Sequence, residues 1–510
     1  MFLHLRINRD RLKLLYMKRI LNFMLLAVLL GAMGSCQKSE YDAVASDEPG
    51  IKSALIVQPT YIVTFSDDFL KDELNASPAY EGRQRAMQVA AERALQSAGI
   101  FVAQIEFVYS TAMKGFAVKM PPGQVRKLEQ NNAVISIEQD QIVMLREPLG
   151  RVVQQTSTAT ASLQPIPWGI ARVKGGINYM GDNVAWVIDS GIDLKHPDLN
   201  VDSIRSRTFI AYTTPNDENG HGTHVAGTIA AINNDIGVVG VAAGAPVVSV
   251  RVLDILGNGT LSGVIAGVDY VAAHAKTGDV ANMSLIGGAS IALDNAVLNA
   301  SQICFFVLSA GNNGTSATAY SPARVNGDNI YTVSAMGTND MWASYSNYGN
   351  PPVDYCAPGT NIYSTFLNGG YATSSGTSMA APHVAGILLL GDLKTDGVVN
   401  GDPDGTPDPI AIFGGIPSAP EIPNPGDNET YTITLSASSV RVKGLRTATL
   451  SWTGGKPGAT ATIYRNGSEI ATMINDSTGK GTYTDNLGRL GGILVYKVCN
   501  SSCSNEVTVK

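Results

Sequence analysis

Charge is scarce in this chain: Lys, Arg, Asp and Glu make up 15% of its 510 residues, against roughly 25% in ordinary soluble domains. What charge there is leans acidic, with 36 basic and 43 acidic side chains and a net charge of −7. A nucleic-acid binder needs a basic face to meet phosphates, so this balance argues against that class. Cysteine is scarcer still. Five in 510 residues are too few for a disulfide scaffold, and no two form the Cys-x-x-Cys pair that would suggest zinc. Outside the N-terminal stretch no apolar run is long enough to cross a bilayer. Glycine, by contrast, is abundant at 53 residues. With 44% hydrophobic residues and a mean hydropathy of +0.06, wholesale disorder is excluded. The length fits about three to four domains of roughly 150 residues each.

Residues 11–36 read as an export signal, with Arg11, Lys13, Lys18 and Arg19 ahead of a short apolar stretch, Phe23 to Gly34, and small residues up to Cys36. The stretch is too short for a transmembrane span. Its ending, Met33-Gly34-Ser35-Cys36, resembles a bacterial lipoprotein box, which implies an acylated Cys36 and a cell-envelope location. An ordinary cleaved signal and a secreted product are the alternative. Residues 37–56 are small and polar, as in a tether.

Residues 57–145 alternate a strand (Tyr61 to Phe65), an Ala-rich helix (Gln84 to Ser97), a strand (Gly115 to Met120), a second helix (Pro122 to Gln130) and a strand (Val134 to Ile137), the pattern of a small α+β domain. A polar joint at 146–162 follows. Residues 163–413 then carry continuous apolar runs, Val184 to Ile188, Pro246 to Val252, Val280 to Leu285, Cys304 to Leu308 and Asn329 to Ala335, with helical segments such as Ser262 to Ala275 between them. Runs without alternation imply strands covered on both faces, so the spacing predicts a doubly wound α/β domain with a mostly parallel sheet. A Pro-rich linker at 414–428 leads to short alternating segments at 429–510 that favour a β-sandwich. Cys499 and Cys503 flank a turn there and are placed to bridge a hairpin, two unpaired thiols being the alternative.

Doubly wound sheets build sites at the carboxyl ends of their strands. Asp189 ends the run Val184 to Ile188, His221 opens Gly220-His221-Gly222-Thr223-His224-Val225-Ala226-Gly227, and Ser378 lies in Gly376-Thr377-Ser378-Met379-Ala380-Ala381-Pro382-His383. Each alone is a weak signal, a strand-end Asp being more often a turn cap and a His among glycines a packing residue. Together they supply a hydroxyl nucleophile, an imidazole base to take its proton and a carboxylate to hold the imidazole.

In this order and these local sequences, residues 163–393 resemble the subtilisin-like serine proteases. The resemblance implies an endopeptidase with Asp189, His221 and Ser378 as its triad, acting on protein or peptide substrates. It also implies that Asn312, in Ser309-Ala310-Gly311-Asn312-Asn313, donates to the oxyanion beside the Ser378 N–H. A structural Ca²⁺ is implied too, held by the carbonyls of Ile232, Ile236 and Val238, the side chains of Asn234 and Gln164, and the Asp198 carboxylate, an all-oxygen set suited to that ion. The substrate wall departs from the family: Ser284-Leu285-Ile286-Gly287-Gly288 stands where Ser-Leu-Gly-Gly is usual, and Tyr320 is expected at the floor of the adjoining pocket. Residues 57–145 are similar to the subtilisin inhibitor propeptide, which implies an autoprocessed zymogen inhibited by its own propeptide. The C-terminal segment resembles a fibronectin type III or immunoglobulin-like module through Leu450-Ser451-Trp452 and Tyr496-Lys497-Val498-Cys499. His196, His224 and His383 read as packing or hydrogen-bonding residues, and the acidic loop at 400–408 as a turn. A catalytically inactive surface binding protein on this scaffold is the rival reading. An α/β-hydrolase esterase is disfavoured, because Ala380 breaks its Gly-x-Ser-x-Gly motif and its His would follow the Ser.

Overall fold

The computed structural model describes residues 59–66, 68–77, 79–145, 153–155, 164–415, 433–442, 445–456, 459–466, 468–476, 478–488, 494–499 and 503–509. The signal and tether at 1–56, Cys36 included, and most of the 146–162 joint and the 414–428 linker, lie outside the described residues.

Residues 59–145 form a four-stranded antiparallel sheet, β1 (Thr60–Phe65), β2 (Gln104–Tyr109), β3 (Gly115–Lys119) and β4 (Val134–Gln139), in the order β2-β3-β1-β4. Helix α1 (Tyr80–Ser97) carries Met87, Ala90, Ala91, Ala94 and Leu95 at helical spacing, and these cover Tyr61, Val63, Phe65, Phe116 and Val118 on one sheet face. It starts four residues before the expected Gln84, where Tyr80-Glu81-Gly82-Arg83 hides the period. The second helix expected at Pro122 to Gln130 is reduced to a 3₁₀ turn, Pro122–Gln124, and one α turn, Val125–Leu128, in which only Leu128 is buried. The other sheet face, with Ile62, Tyr109 and Ala117, joins the core of the next domain. From this face a short strand, β5 (Ile142–Met144), runs on into that domain, and β6 (Val153–Gln155) pairs with it further along.

The central domain contains β7 (Ala185–Asp189), β8 (Arg207–Thr208), α2 (His221–Ala230), β9 (Val247–Arg251), β10 (Asn258–Thr260), α3 (Leu261–His274), β11 (Val280–Met283), α4 (Ile291–Ala300), β12 (Phe305–Ser309), β13 (Ile330–Met336), β14 (Val353–Pro358), the hairpin β15 (Ile362–Phe366) and β16 (Gly370–Ser374), α5 (Thr377–Leu390), β17 (Leu393–Val398) and β18 (Pro409–Phe413). The main sheet runs β17-β18-β14-β13-β12-β11-β7-β9-β8, parallel throughout except for the β17–β18 pair. Its middle strands are buried at every residue. Alternate side chains serve opposite cores: Trp186, Ile188, Val248 and Phe306 pack with α3 and α4, while Ala185, Val187, Val247 and Val307 pack with α2 and α5. The parallel sheet predicted from unbroken apolar runs is thus present. Strand β14 and the β15–β16 hairpin escape that reading because Asp354, Tyr355 and the Ser and Thr residues between 364 and 374 interrupt their apolar pattern.

Beyond the linker, residues 434–442, 445–453 and 481–488 form one antiparallel sheet, and residues 460–465, 468–474, 494–499 and 507–509 another. Leu450, Trp452, Ile463, Tyr496 and Val498 fill a shared core, and Cys499 is disulfide-bonded to Cys503. Among the described residues no helix is long and apolar enough to cross a membrane.

Candidate active site

Asp189 ends β7, His221 opens α2 and Ser378 is the second residue of α5. His221 Nδ1 lies 2.9 Å from each Asp189 carboxylate oxygen, and both side chains are buried. Two glycines permit this approach. A Cβ on Gly222 would lie 2.1 Å from the Gly191 carbonyl oxygen, and one on Gly220, at φ 106°, would meet the Phe366 ring at 2.3 Å. Asp217 secures the arrangement. Its carboxylate accepts from the N–H groups of Asn219, Gly220 and Thr223 at the start of α2, and from the hydroxyls of Ser190 and Thr223. Ser190 in turn accepts from the Gly222 N–H, so one buried carboxylate ties the strand end bearing Asp189 to the helix bearing His221.

Helix α5 begins after Gly376 and contains Pro382. Pro382 has no N–H for the carbonyl four residues back, that of Ser378. The Ser284 hydroxyl takes its place, donating to the Ser378 carbonyl at 2.9 Å, and the Ser378 hydroxyl donates back to the Ser284 carbonyl at 3.3 Å. The proline in the apolar helix therefore belongs to a cross-link between Ser378 and the strand of Ser284. Asn312 follows β12. Its Oδ1 accepts from both the N–H and the hydroxyl of Thr377 at 2.9 Å, and Thr377 Oγ1 accepts from the Gly311 N–H at 3.0 Å. Because the oxygen end of the amide faces these donors, its NH₂ end is directed away from Thr377.

Between Ser378 and Asn312 lies a recess of about 10 Å³ with Ser284, Leu285, Ile286 and Gly311 in its walls. Tyr320 is not in that wall. It pairs with Gly288 and packs against the cluster of Ile286, Ala310, Ala317 and Ala323. Along the same cleft β5 is antiparallel to β10, with Met144 opposite Asn258 and bridged on its other side to Ile286, and the Leu145 N–H donates to the Gly257 carbonyl at 3.0 Å. The chain leaving the N-terminal domain thus lies as a middle strand between two edges beside Ser378.

Residues 184–392 match the model of the subtilase family, and residues 60–146 match that of the peptidase inhibitor I9. An alkaline serine exoprotease A of Vibrio alginolyticus is 38% identical over 348 residues, 66% of this chain and 61% of that protein. An extracellular serine proteinase of Thermus sp. (strain Rt41A) is 36% identical over 392 residues, covering 73% of this chain and 90% of its own. The chain belongs to the subtilase family. It is a subtilisin-like serine endopeptidase with an I9 propeptide. A subtilisin-like serine protease of Sarocladium strictum is 37% identical over 345 residues, 61% of this chain and 83% of that protein. A crystal structure of a cold adapted subtilisin-like serine proteinase matches 44% of this chain and 84% of its own at 42% identity, with a TM-score of 0.38.

In this subtilase His196, His224 and His383 are buried. His224 Nε2 donates to the carbonyls of Ile362 and Ala372, His383 Nδ1 to that of Met379, and His196 Nε2 to that of Gly370. Burial, with repulsion from His221 for the first, pushes His224 down to about 3, and burial pushes His383 down to about 4, so these two are neutral spacers. Asp217, which sequence reasoning did not single out, was readable only as Asp217-Glu218-Asn219-Gly220 before the helix, a capping pattern among many others.

The oxygens named for calcium converge. Gln164 Nε2 lies 2.8, 2.5 and 2.6 Å from the carbonyl oxygens of Ile232, Ile236 and Val238, and 3.5 Å from Asn234 Oδ1. Asp198 Oδ2 accepts from the Val238 N–H and the Tyr371 hydroxyl, while Oδ1 is buried without a partner. Burial pushes this carboxyl up to about 7, the mark of a site short of positive charge. Three carbonyls crowded on one atom beside an uncompensated carboxylate fit a hard cation, with Gln164 turned to present its own oxygen. Among the described residues no cluster of three or more His, Cys, Asp or Glu is placed to hold a metal.

Proposed function

We propose that Asp189, His221 and Ser378 are the triad of this endopeptidase and Asn312 its oxyanion donor. The observation that carries the assignment is the buried imidazole held at 2.9 Å from both oxygens of Asp189. That contact keeps the proton on Nδ1, which leaves Nε2 as the base. His221 takes the Ser378 proton as Oγ attacks a substrate carbonyl. The Asn312 NH₂ and the Ser378 N–H then receive the oxyanion charge. His221 returns its proton to the leaving amine, the acyl enzyme forms, and water repeats the sequence in reverse. Asp189 stabilises the imidazolium throughout without taking a proton.

The zymogen state follows from the cleft. Strand β5 occupies the edge a substrate would use, with Val143 buried against Leu261 and under Gly287, and so blocks it. A Ca²⁺ ion held by Gln164, Asp198, Ile232, Asn234, Ile236 and Val238 would neutralise Asp198 and fasten the 232–238 loop. The extracellular description of the Thermus relative, together with the Arg-rich apolar N-terminus, supports export, with Cys36 as a lipid anchor that leaves with the propeptide if the joint at 146–162 is cut. The C-terminal pair of sheets is read as a fibronectin type III or immunoglobulin-like sandwich.

The test is fluorophosphonate labelling and casein cleavage by protein freed of its propeptide. Labelling at Ser378 with cleavage is expected, both vanishing in Ser378→Ala. Native enzyme that neither labels nor cleaves would overturn the reading. Mass spectrometry of the mature N-terminus tests release, since acylated Cys36 still continuous with Ser378 would sink it.

A further inference from the structure

The acyl residue of a substrate is bonded to the carbonyl that Ser378 attacks, and that carbonyl's oxygen is directed at Asn312. Its side chain must therefore enter the recess whose walls include both residues. In an extended segment successive side chains face opposite ways, and here the two choices are occupied differently. At position 287 a glycine leaves room for Val143 of the propeptide, since a Cβ there would lie 3.2 Å from Val143 Cγ2. At position 286, facing the recess, stands a branched isoleucine. It is only 6% exposed, and it packs on Ala310, Ala317, Ala323 and Tyr320 at the base. Its Cδ1 lies 3.0 Å from where a Cβ of Gly311 would stand, so the side chain spans the space from one wall to the other. With the uncut chain's own strand β5 in the cleft, what remains is a cavity of about 10 Å³, the room of one water or methyl group.

We propose that Ile286 sets the cleavage specificity by filling the acyl-side pocket, restricting the residue before the cut bond to Gly, Ala or Ser. Tyr320, expected at the pocket floor, is partly buried and packs on the cluster that contains Ile286. Only the small space in front of Ile286 is left to the substrate, while its backbone pairs as Met144 does. This inference rests on the triad assignment above.

The experiment measures kcat/KM of propeptide-free enzyme on tetrapeptide anilides identical except for Ala, Leu or Phe before the scissile bond, with fluorophosphonate titration of Ser378 to count active sites. Wild type is expected to favour Ala over Phe by at least about 10-fold. Ile286→Gly should raise the ratio of the Phe value to the Ala value by roughly 10–200-fold, the range a methylene-sized change makes in such a pocket. Ile286→Ala, which retains a Cβ and its backbone restraint, should fall between. Wild type that titrates fully yet cuts Phe as fast as Ala would overturn the proposal, and so would Ile286→Gly and Ile286→Ala enzymes that titrate fully with an unchanged preference. Wild type that fails to titrate overturns the triad assignment itself, which separates the two failures.

Discussion

At the scale of single residues the site depends on atoms that are absent as much as on those present. Gly222 has no Cβ because the Gly191 carbonyl oxygen would be 2.1 Å from it. Gly222→Ala should push α2 away from β7, lengthen the His221–Asp189 contact and lower kcat by at least about 100-fold, as a misplacement near 1 Å does, while a circular dichroism spectrum stays native. Asn312→Ala should lower kcat by on the order of 10²–10³ with little change in KM, the loss seen when the corresponding donor is removed in subtilisin; steady-state kinetics on one peptide substrate decides it. His224 contributes to stability rather than turnover. Its imidazole titrates near 6.5 in the unfolded chain but is held down to about 3 in the folded one. The unfolded state binds that proton first, so this contribution is full above about pH 6.5 and is lost as pH falls toward 3. Buried Asp269 and partly buried Asp354, both pushed up to about 6, act with the opposite sign between about pH 4 and 6. The His224→Asn variant isolates the histidine: its unfolding free energy in urea should fall less steeply below pH 6.5 than that of wild type, by up to ~1.4 kcal/mol per pH unit.

Among the elements, the contact between propeptide and catalytic domain is drawn at helix N-termini. Glu138 accepts from the Ser290 hydroxyl and the Ala292 N–H at the start of α4, and Asp140 from the N–H and hydroxyl of Ser262 at the start of α3. Carboxylates there meet both unpaired N–H groups and the positive helix end. Asp269 in α3 reciprocates by accepting from the N–H groups of Ser110, Thr111 and Ala112. A propeptide carrying Glu138→Gln and Asp140→Asn, added in trans, should inhibit the mature enzyme about 10–100-fold more weakly than wild type, each cap being worth roughly 1 kcal/mol; inhibition constants check this. The sequence showed these elements unevenly. Strands β7, β9, β11, β12 and β13 were legible because a strand buried on both faces has no reason to alternate. Asp189 could be read because it ends a buried apolar run, and His221 and Ser378 because glycines and alanines required by close packing surround them. Glu138 and Asp140, by contrast, look like any solvated carboxylates until α3 and α4 are brought to them from more than a hundred residues away, and Ile286 declares its position only once Gly311 stands opposite.

For the molecule as a whole, stability and activation are expected to depend on groups outside the proposed triad. If Ca²⁺ occupies the oxygen cluster at Gln164 and Asp198 at about 100 times its dissociation constant, it stabilises the fold by roughly 2.7 kcal/mol. Chelation should then lower the melting temperature by roughly 5–10 °C. Scanning calorimetry with and without chelator tests this, and Asp198→Asn should melt low in both conditions. Propeptide strand β5 and its caps carry a different consequence. While the chain is uncut, the inhibitor is tethered to its target at an effective concentration in the millimolar range, whatever the amount of protein. After one peptide bond is cut the same contact becomes bimolecular, and its occupancy depends on how many molecules share the volume. Crowded at the site of synthesis the cut protein would stay silent; spread into a larger volume it would switch on, with dilution itself as the signal.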